Sequence, residues 1–323
     1  MENSNPDLVK IKQLIDSCEY NQAQKILENL YKTNENNIEI IDLLSDVYFN
    51  QDNIEQAKKL IKKSINLSPN TNPEKYMIYG QIINNPEESV KYYNYAISLF
   101  KQQLNENPNN NDLKESIASG LASIASLYMT TDLCDKPNAE EICENSIREG
   151  LNISNNNIDI LLQLSNLRIL RKRDDEAKNA LNKIMNEINV IDITDEKFPD
   201  HDVLLNIANN YAEINMYVEA IKILNILVKI DDEDLNCWYL IAFDNYQIRN
   251  FKEAYDIVLK IFDIYNSNPN KFNELNDIIS ASEELKNNLE QRKDNLINEN
   301  EEILKNNNED YISDGNEDEE MDN

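Results

Sequence analysis

A spacing of 34 residues recurs along this chain. It separates Ala23 in "YNQAQKILENL" from Ala57 in "NIEQAKKLIKKSI", and Ala220 in "MYVEAIKILNIL" from Ala254 in "NFKEAYDIVLKI". Ala177 in "RDDEAKNALNKI" lies 34 positions after Cys143 in "EEICENSI". Around each of these small residues, apolar side chains return every three or four positions, the period of a helix that buries one face. A fixed period of this length marks one structural unit copied along the chain, and each copy needs its neighbours to cover its apolar face.

The rest of each window fits a pair of helices. In 38–71, Leu44, Ser45 and Tyr48 fill apolar, small and aromatic slots of a first helix; Ala57, Ile61 and Ser64 line a second, and Pro69 closes it. Residues 201–234 repeat the set with Leu204, Ile207, Ala208, Tyr211, Ala220, Leu224 and Leu227, and 235–268 with Trp238, Ile241, Ala242, Ala254, Val258 and Ile261. A small residue where two helices cross lets the backbones approach, and large residues fill the space around it. This is the tetratricopeptide signature, and it predicts an all-α superhelical solenoid of about seven helix pairs. The pairs fall at about 4–37, 38–71, 72–104, 113–157, 158–191, 201–234 and 235–268. In the fourth, "LKESIASGLASIASLYMTTDLC" reads as one long first helix and "DKPN" as the turn after it. An insert near 190–200, "VIDITDEKFPD", precedes the sixth pair. "NPNNND" and "SNNNID" read as loops that reflect a coding bias toward asparagine. The solenoid is expected over 1–268, a capping helix over 269–305 with Leu275, Ile278, Ile279 and Leu285 as its stripe, and a disordered acidic tail over 306–323.

Only 4 Gly and 8 Pro are present, too few for a fold built on tight turns. No apolar run reaches the ~18 residues of a membrane helix, and the acidic start lacks the apolar stretch of a secretory signal. A soluble intracellular protein is expected. Cys18, Cys134, Cys143 and Cys237 are too scattered for a disulfide framework and fit a reducing compartment. Cys134 and Cys143 lie among Asp132, Asp135, Glu140, Glu141 and Glu144, which raises the question of a metal or redox site. Zinc wants roughly four closely spaced ligands, yet His201 is the only histidine. Cys143 also occupies the slot that alanine fills elsewhere, which makes it a packing residue. No cofactor, metal or catalytic residue is assigned: there is no glycine-rich phosphate loop and no nucleophile paired with histidine.

The net charge is −29, and residues 301–323 hold ten acids against one lysine. Such a field repels nucleic acid and anionic membranes and attracts basic proteins. Positions 2, 5, 9 and 12 of each first helix share one face, which would line the concave side of the solenoid. They are Glu39, Asp42, Asp46 and Phe49 in the second window; Asp159, Leu162, Asn166 and Ile169 in the fifth; Asp202, Leu205, Asn209 and Ala212 in the sixth; and Asn236, Tyr239, Phe243 and Tyr246 in the seventh. A groove acidic at one end and aromatic at the other suits a basic extended peptide. Carboxylates would meet Arg and Lys, and rings would stack on guanidinium.

"LASIASLYMTTDLCDKPNAEEICENSIREGLNIS", then "LLQLSNLRILRKRDDEAKNALNKI", resembles the tetratricopeptide assembly chaperones dedicated to ribosomal large-subunit protein four. "IDDEDLNCWYLIAFDNYQIRNFKEA" is similar to a late repeat of the same family. The resemblance covers about 110–265 and rests on Thr131, Asp132, Leu133, Cys134, Glu140, Cys143, Glu144, Arg168, Arg173, Glu176 and Trp238. It implies a monomeric chaperone that captures this newly made basic ribosomal protein by an extended loop and escorts it to ribosome assembly, without direct nucleic-acid or membrane contact. It also adds Asp132 to the client-facing residues. A histone or other basic-protein chaperone, or a scaffold within a multi-protein complex, remains open on the residues alone.

Overall fold

The computed structural model describes residues 6–195, 197–267, 269–272 and 274–292. The 306–323 tail and the 293–305 part of the expected capping helix lie outside them. The described residues are helices joined by turns, with no strand among them. None of the described helices is long and apolar enough to cross a membrane. The chain is an all-α tetratricopeptide-repeat solenoid. It divides into two compact units, one through Pro199 and one from Asp200 on.

The first unit stacks five helix pairs. They are α1 (Pro6–Asp16) with α2 (Tyr20–Thr33), α3 (Ile38–Asn50) with α4 (Ile54–Leu67), and α5 (Glu74–Ile82) with α6 (Pro86–Glu106). There follow α7 (Asn111–Thr130) with α8 (Ala139–Ile153), and α9 (Ile158–Leu170) with α10 (Asp174–Ile188). The second unit holds α11 (His201–Glu213) with α12 (Tyr217–Ile230), α13 (Leu235–Gln247) with α14 (Phe251–Ser267), and a helix described over 276–292, α15. Ala23, Ala57, Ala177, Ala220 and Ala254 are fully buried at the crossings, and Cys143 is 1% exposed in the same slot. Burial pushes the Cys143 thiol up to about 11, so it packs as a small neutral side chain.

Two features of the turns depart from the sequence expectation. The long helix of the fourth pair ends at Thr130, and Asp132–Asp135 form a separate 3-10 helix. Thr131 makes the break: its extended backbone leaves the helix, and its hydroxyl accepts the Leu133 N–H at 3.2 Å. Leu133, 3% exposed, is thereby turned into the core. The asparagine runs are also more than compositional bias. Asn37, Asn110 and Asn157 each cap the helix that follows, their carbonyls accepting the N–H of Ile40, Leu113 and Ile160 at 3.2, 3.0 and 2.9 Å. Asp200 and Asp234 do the same for α11 and α13. A side-chain cap of this kind is worth about 1 kcal/mol.

The glycines and the turns have exchanged their usual duties. Within five pairs, the fifteenth position of the repeat turns the chain in the left-handed region, at Cys18, Asp52, Lys172, Asn215 and Arg249, with φ between 53° and 62°. None of these is glycine. The described glycines instead sit inside helices where a neighbour comes close. A Cβ on Gly150 of α8 would lie 2.6 Å from Ile160 Cγ1 and 2.7 Å from its Cδ1, and Ile160 is fully buried.

Gly150→Ala should therefore lower stability by roughly 1–2 kcal/mol, because overpacking outweighs the gain of about 1 kcal/mol in helix propensity. Denaturant unfolding measures it. Lys172→Gly should act the other way and raise the melting temperature. It removes a left-handed penalty of about 1–2 kcal/mol at the cost of a looser unfolded chain.

Candidate functional site

The expected groove residues of α3 are present on one face, but most are engaged by the chain itself. Glu39 is paired with Lys12 at 2.8 Å. Asp42 accepts hydrogen bonds from the Ser64 hydroxyl and from Asn72 Nδ2 at 2.8 Å. Beneath Ser64 lies Lys75, 1% exposed, whose ammonium donates to Ser64 Oγ at 3.2 Å and to the Ser68 carbonyl at 2.5 Å. Burial lowers the Lys75 pKa, and the nearby Asp42 charge opposes that shift. A lysine at position 42 would set two ammonium groups about one serine, so it would report on stability rather than on binding. Asp46, half-buried, accepts from Asn50 at 3.1 Å, and burial raises its carboxyl. Phe49 packs against the cluster of Ala57, Ile61, Tyr79 and Ile82. A cleft of about 460 Å³ remains beside Lys12, Glu39, Asp42 and Asn72. Sequence reasoning missed Lys75; the signal it carried is a lysine on the i, i+4, i+7 stripe with Tyr79 and Ile82.

The residues that carry the family resemblance are largely structural. Arg168, 14% exposed, reaches Glu144 at 3.2 Å and Glu176 at 2.9 Å. Arg171 joins Glu144 at 3.0 Å and Glu140 at 2.6 Å, and Arg173 pairs with Glu176. The network ties α8, α9 and α10 around Cys143. Burial would raise the Glu144 carboxyl, but the Arg171 hydrogen bond and the charges of Arg168 and Arg171 outweigh it and hold the group below its ordinary value. Asp159 of α9 accepts the Ser119 hydroxyl at 2.6 Å. Asn166 donates to Gln163 at 3.3 Å. Asp132 is exposed at the head of the 3-10 helix.

In the second unit two of the aromatic residues of α13 lie beside each other, and the third lies beside a ring of α14. Tyr239 and Phe243 have ring centroids 6.3 Å apart, and Tyr246 lies 5.5 Å from Phe251. The guanidinium of Arg292 on α15 sits 5.1 Å from the centroids of both Tyr246 and Phe251, and its Nε donates to the Tyr246 hydroxyl at 3.0 Å. Tyr246 is thus already covered by the chain's own arginine. Phe243, 37% exposed, is the most open ring of the three expected. Asp202 and Asn209 of α11 are exposed, and Asn236 is half-buried. Trp238 is an anchor: Lys260 Nζ lies 3.4 Å from its ring, and its indole N–H donates to the Asp232 carbonyl at 2.8 Å. Asp244 takes the slot that Val47 and Leu167 fill in other pairs, and burial pushes its carboxyl up to about 7.

Sequence reasoning also left His201 and Cys237 as isolated residues. The fold brings them together through Asp234. His201 Nε2 lies 2.8 Å from Asp234 Oδ2 and 4.0 Å from Cys237 Sγ. The hydrogen bond to Asp234 raises the His201 pKa, and burial pushes the Cys237 thiol far above its usual value. Burial therefore favours the neutral thiol as long as no cation lies beside it.

Comparison with known proteins places these features in a family context. The tetratricopeptide-repeat family model matches residues 14–82. A Schizosaccharomyces pombe protein named "Probable assembly chaperone of rpl4" is 33% identical over 218 residues, 66% of this chain and 65% of that protein. An Emericella nidulans protein of the same name is 23% identical over 227 residues, 68% of this chain and 57% of its own. The matched part therefore spans just under two thirds of the first relative's length. A solved structure, "Assembly Chaperone of RpL4 (Acl4) (Residues 1-338)", superposes with a TM-score of 0.63 at 20% identity, over 76% of this chain and 97% of that one. At that identity the likeness carries the fold. The resemblance read from "TDLC", "AEEICE" and the arginine-bearing helix pair is thus matched by named relatives.

The Glu144 network generates a pH-dependent expectation. Its folded carboxyl loses its proton more readily than the unfolded one. Its stabilisation is therefore complete above about pH 4.3, the unfolded value, and fades as pH falls through the lower folded value. The difference in urea midpoint between the wild type and Glu144→Gln should be clear at neutral pH and vanish in acid. Arg168→Ala should cost about 1 kcal/mol at neutral pH, since it removes the cation that Glu144 and Glu176 share while Arg171 and Arg173 remain beside them.

Proposed function

We propose that this chain is a non-catalytic chaperone for a basic ribosomal protein, large-subunit protein four, which it holds by an extended Arg- and Lys-rich segment and escorts to ribosome assembly. The observation that carries this reading is Arg292 on the Tyr246 and Phe251 rings. That arginine makes the contact a client arginine would make: a guanidinium over aromatic faces with a hydroxyl accepting its N–H. The relatives' names support the client, and the net charge of −29 supports a cationic guest.

The client-facing residues are Phe49, Asp132 and Asn166 in the first unit and Asp202, Asn209, Asn236, Tyr239 and Phe243 in the second. Tyr246 joins them when a guest arginine takes the place of Arg292. Glu39, Asp42, Asp46 and Asp159 add negative field while their carboxyls stay with their own partners. A segment destined for ribosomal RNA is rich in cations, and carboxylates and rings stand in for the phosphates and bases it will later meet. The protein works as a monomer in cytoplasm and nucleus and needs no nucleic acid.

Immobilised full-length chain, incubated with lysate and read by mass spectrometry, should retain ribosomal protein four as its dominant partner. That partner should elute as salt rises, because at 0.1 M exposed charges are screened over about 10 Å. A histone-dominated eluate would favour general basic-protein binding instead, and a neutral partner retained in high salt would favour a scaffold. Phe243→Ala with Asp202→Asn, both exposed, should weaken binding of an Arg-rich client peptide about three- to tenfold and leave the melting temperature unchanged. Unaltered affinity would remove this face from the mechanism.

A further inference from the structure

His201, Asp234 and Cys237 bring three different donor atoms to one place: an imidazole nitrogen, a carboxylate oxygen and a sulfur, all within 4.8 Å of one another. The repeat makes this possible. His201 opens α11, Asp234 caps α13 one repeat later, and Cys237 lies in the first turn of α13. We propose that these three side chains form a binding site for a single zinc-class divalent cation, with water completing the coordination on the exposed side of His201.

The geometry is close to what such an ion needs. With bonds of about 2.0–2.2 Å to nitrogen and oxygen and about 2.3 Å to sulfur, tetrahedral ligands sit roughly 3.3–3.6 Å apart. The 2.8 Å between His201 Nε2 and Asp234 Oδ2 must open by about half an ångström, and the 4.0 Å from His201 Nε2 to Cys237 Sγ must close by a similar amount. Both changes are within reach of side-chain rotation. The surroundings orient the ligands. Asp234 Oδ1 accepts the Cys237 N–H at 2.9 Å, which leaves Oδ2 for the ion, and Asp202 Oδ1 lies 3.4 Å from His201 Nδ1 on the far side of the ring.

The donor set selects the metal class. A thiolate disfavours calcium and magnesium, and a mixed N, O, S set suits zinc. On binding, the hydrated ion sheds its waters except the one that keeps the fourth tetrahedral position, the Cys237 S–H proton passes to solvent, and a sulfur–metal bond forms. No electron is transferred. The ion would clamp α11 to α13, two first helices of successive pairs, in place of the present His201–Asp234 contact.

Cobalt(II) titrated into the full chain tests this, because a thiolate ligand gives cobalt a near-ultraviolet charge-transfer band that an ion pair cannot produce. We expect one cobalt per chain, displaced by zinc, with the band kept in Cys18→Ser/Cys134→Ser and lost in Cys237→Ser. His201→Gln, an exposed change that leaves the fold intact, should weaken cobalt binding at least about tenfold and decides the matter should Cys237→Ser unfold. No band in the full chain, a band that survives Cys237→Ser, or unchanged affinity in His201→Gln would each overturn the site.

Discussion

Two helices approach closely only where almost nothing stands between them, and the architecture of this protein follows from that constraint. Ala23, Ala57, Cys143, Ala177, Ala220 and Ala254 leave the crossing point empty enough for backbone contact. Large residues such as Leu27, Ile61, Leu181 and Ile261 then close the space around it. Once the crossing is set, the turn between the helices has little freedom. The chain must reverse within a few residues, and the left-handed conformation at the fifteenth repeat position is how it does so. That Cys18, Lys172 and Arg249 accept this conformation shows that packing energy of the pair exceeds the local backbone cost. Gly150 meets the same constraint from the other direction, since no side chain fits against Ile160.

Charge is organised within this frame according to scarcity. The chain has 60 carboxylates and 31 Lys and Arg residues, so close to half of the acids have no cation of their own. The pairs that do form hold repeats together, as Glu144 and Glu176 do with Arg168, or sit over a buried ammonium, as Asp42 does near Lys75. These acids are scaffold first, and their field reaches solvent only in part. Among the acids and rings exposed at the surface are Asp132, Phe243 and Asp202, the last beside the His201 ring. Arg292 against Tyr246 supplies an internal example of the chemistry such a surface offers.

The repeat also creates neighbours that are distant in sequence. Residues one period apart stand side by side on successive first helices, so a lone histidine can find a carboxylate and a thiol that no local motif announces. His201, Asp234 and Cys237 came together in this way. A short-range motif search looks for close spacing. In a solenoid the relevant spacing is the period itself.

Much of this protein could be read before any coordinates. The 34-residue period, the small slot and the scarcity of glycine specify paired helices, because helical packing repeats with the backbone and leaves its mark on every copy. The packing role of Cys143 and the family resemblance were legible for the same reason. The fate of each charged side chain was not. Positions 2, 5, 9 and 12 define a face, but whether Asp42 greets solvent or Ser64 depends on what the next helix pair brings within hydrogen-bond distance. The asparagine runs hid their caps because a capping carbonyl and a loop residue share one letter. Tertiary contact alone decided which acids bind inward, which ring Arg292 covers, and where three metal-capable donors converge. Those outcomes rest on distances of a few ångströms between helices, which a linear pattern does not encode.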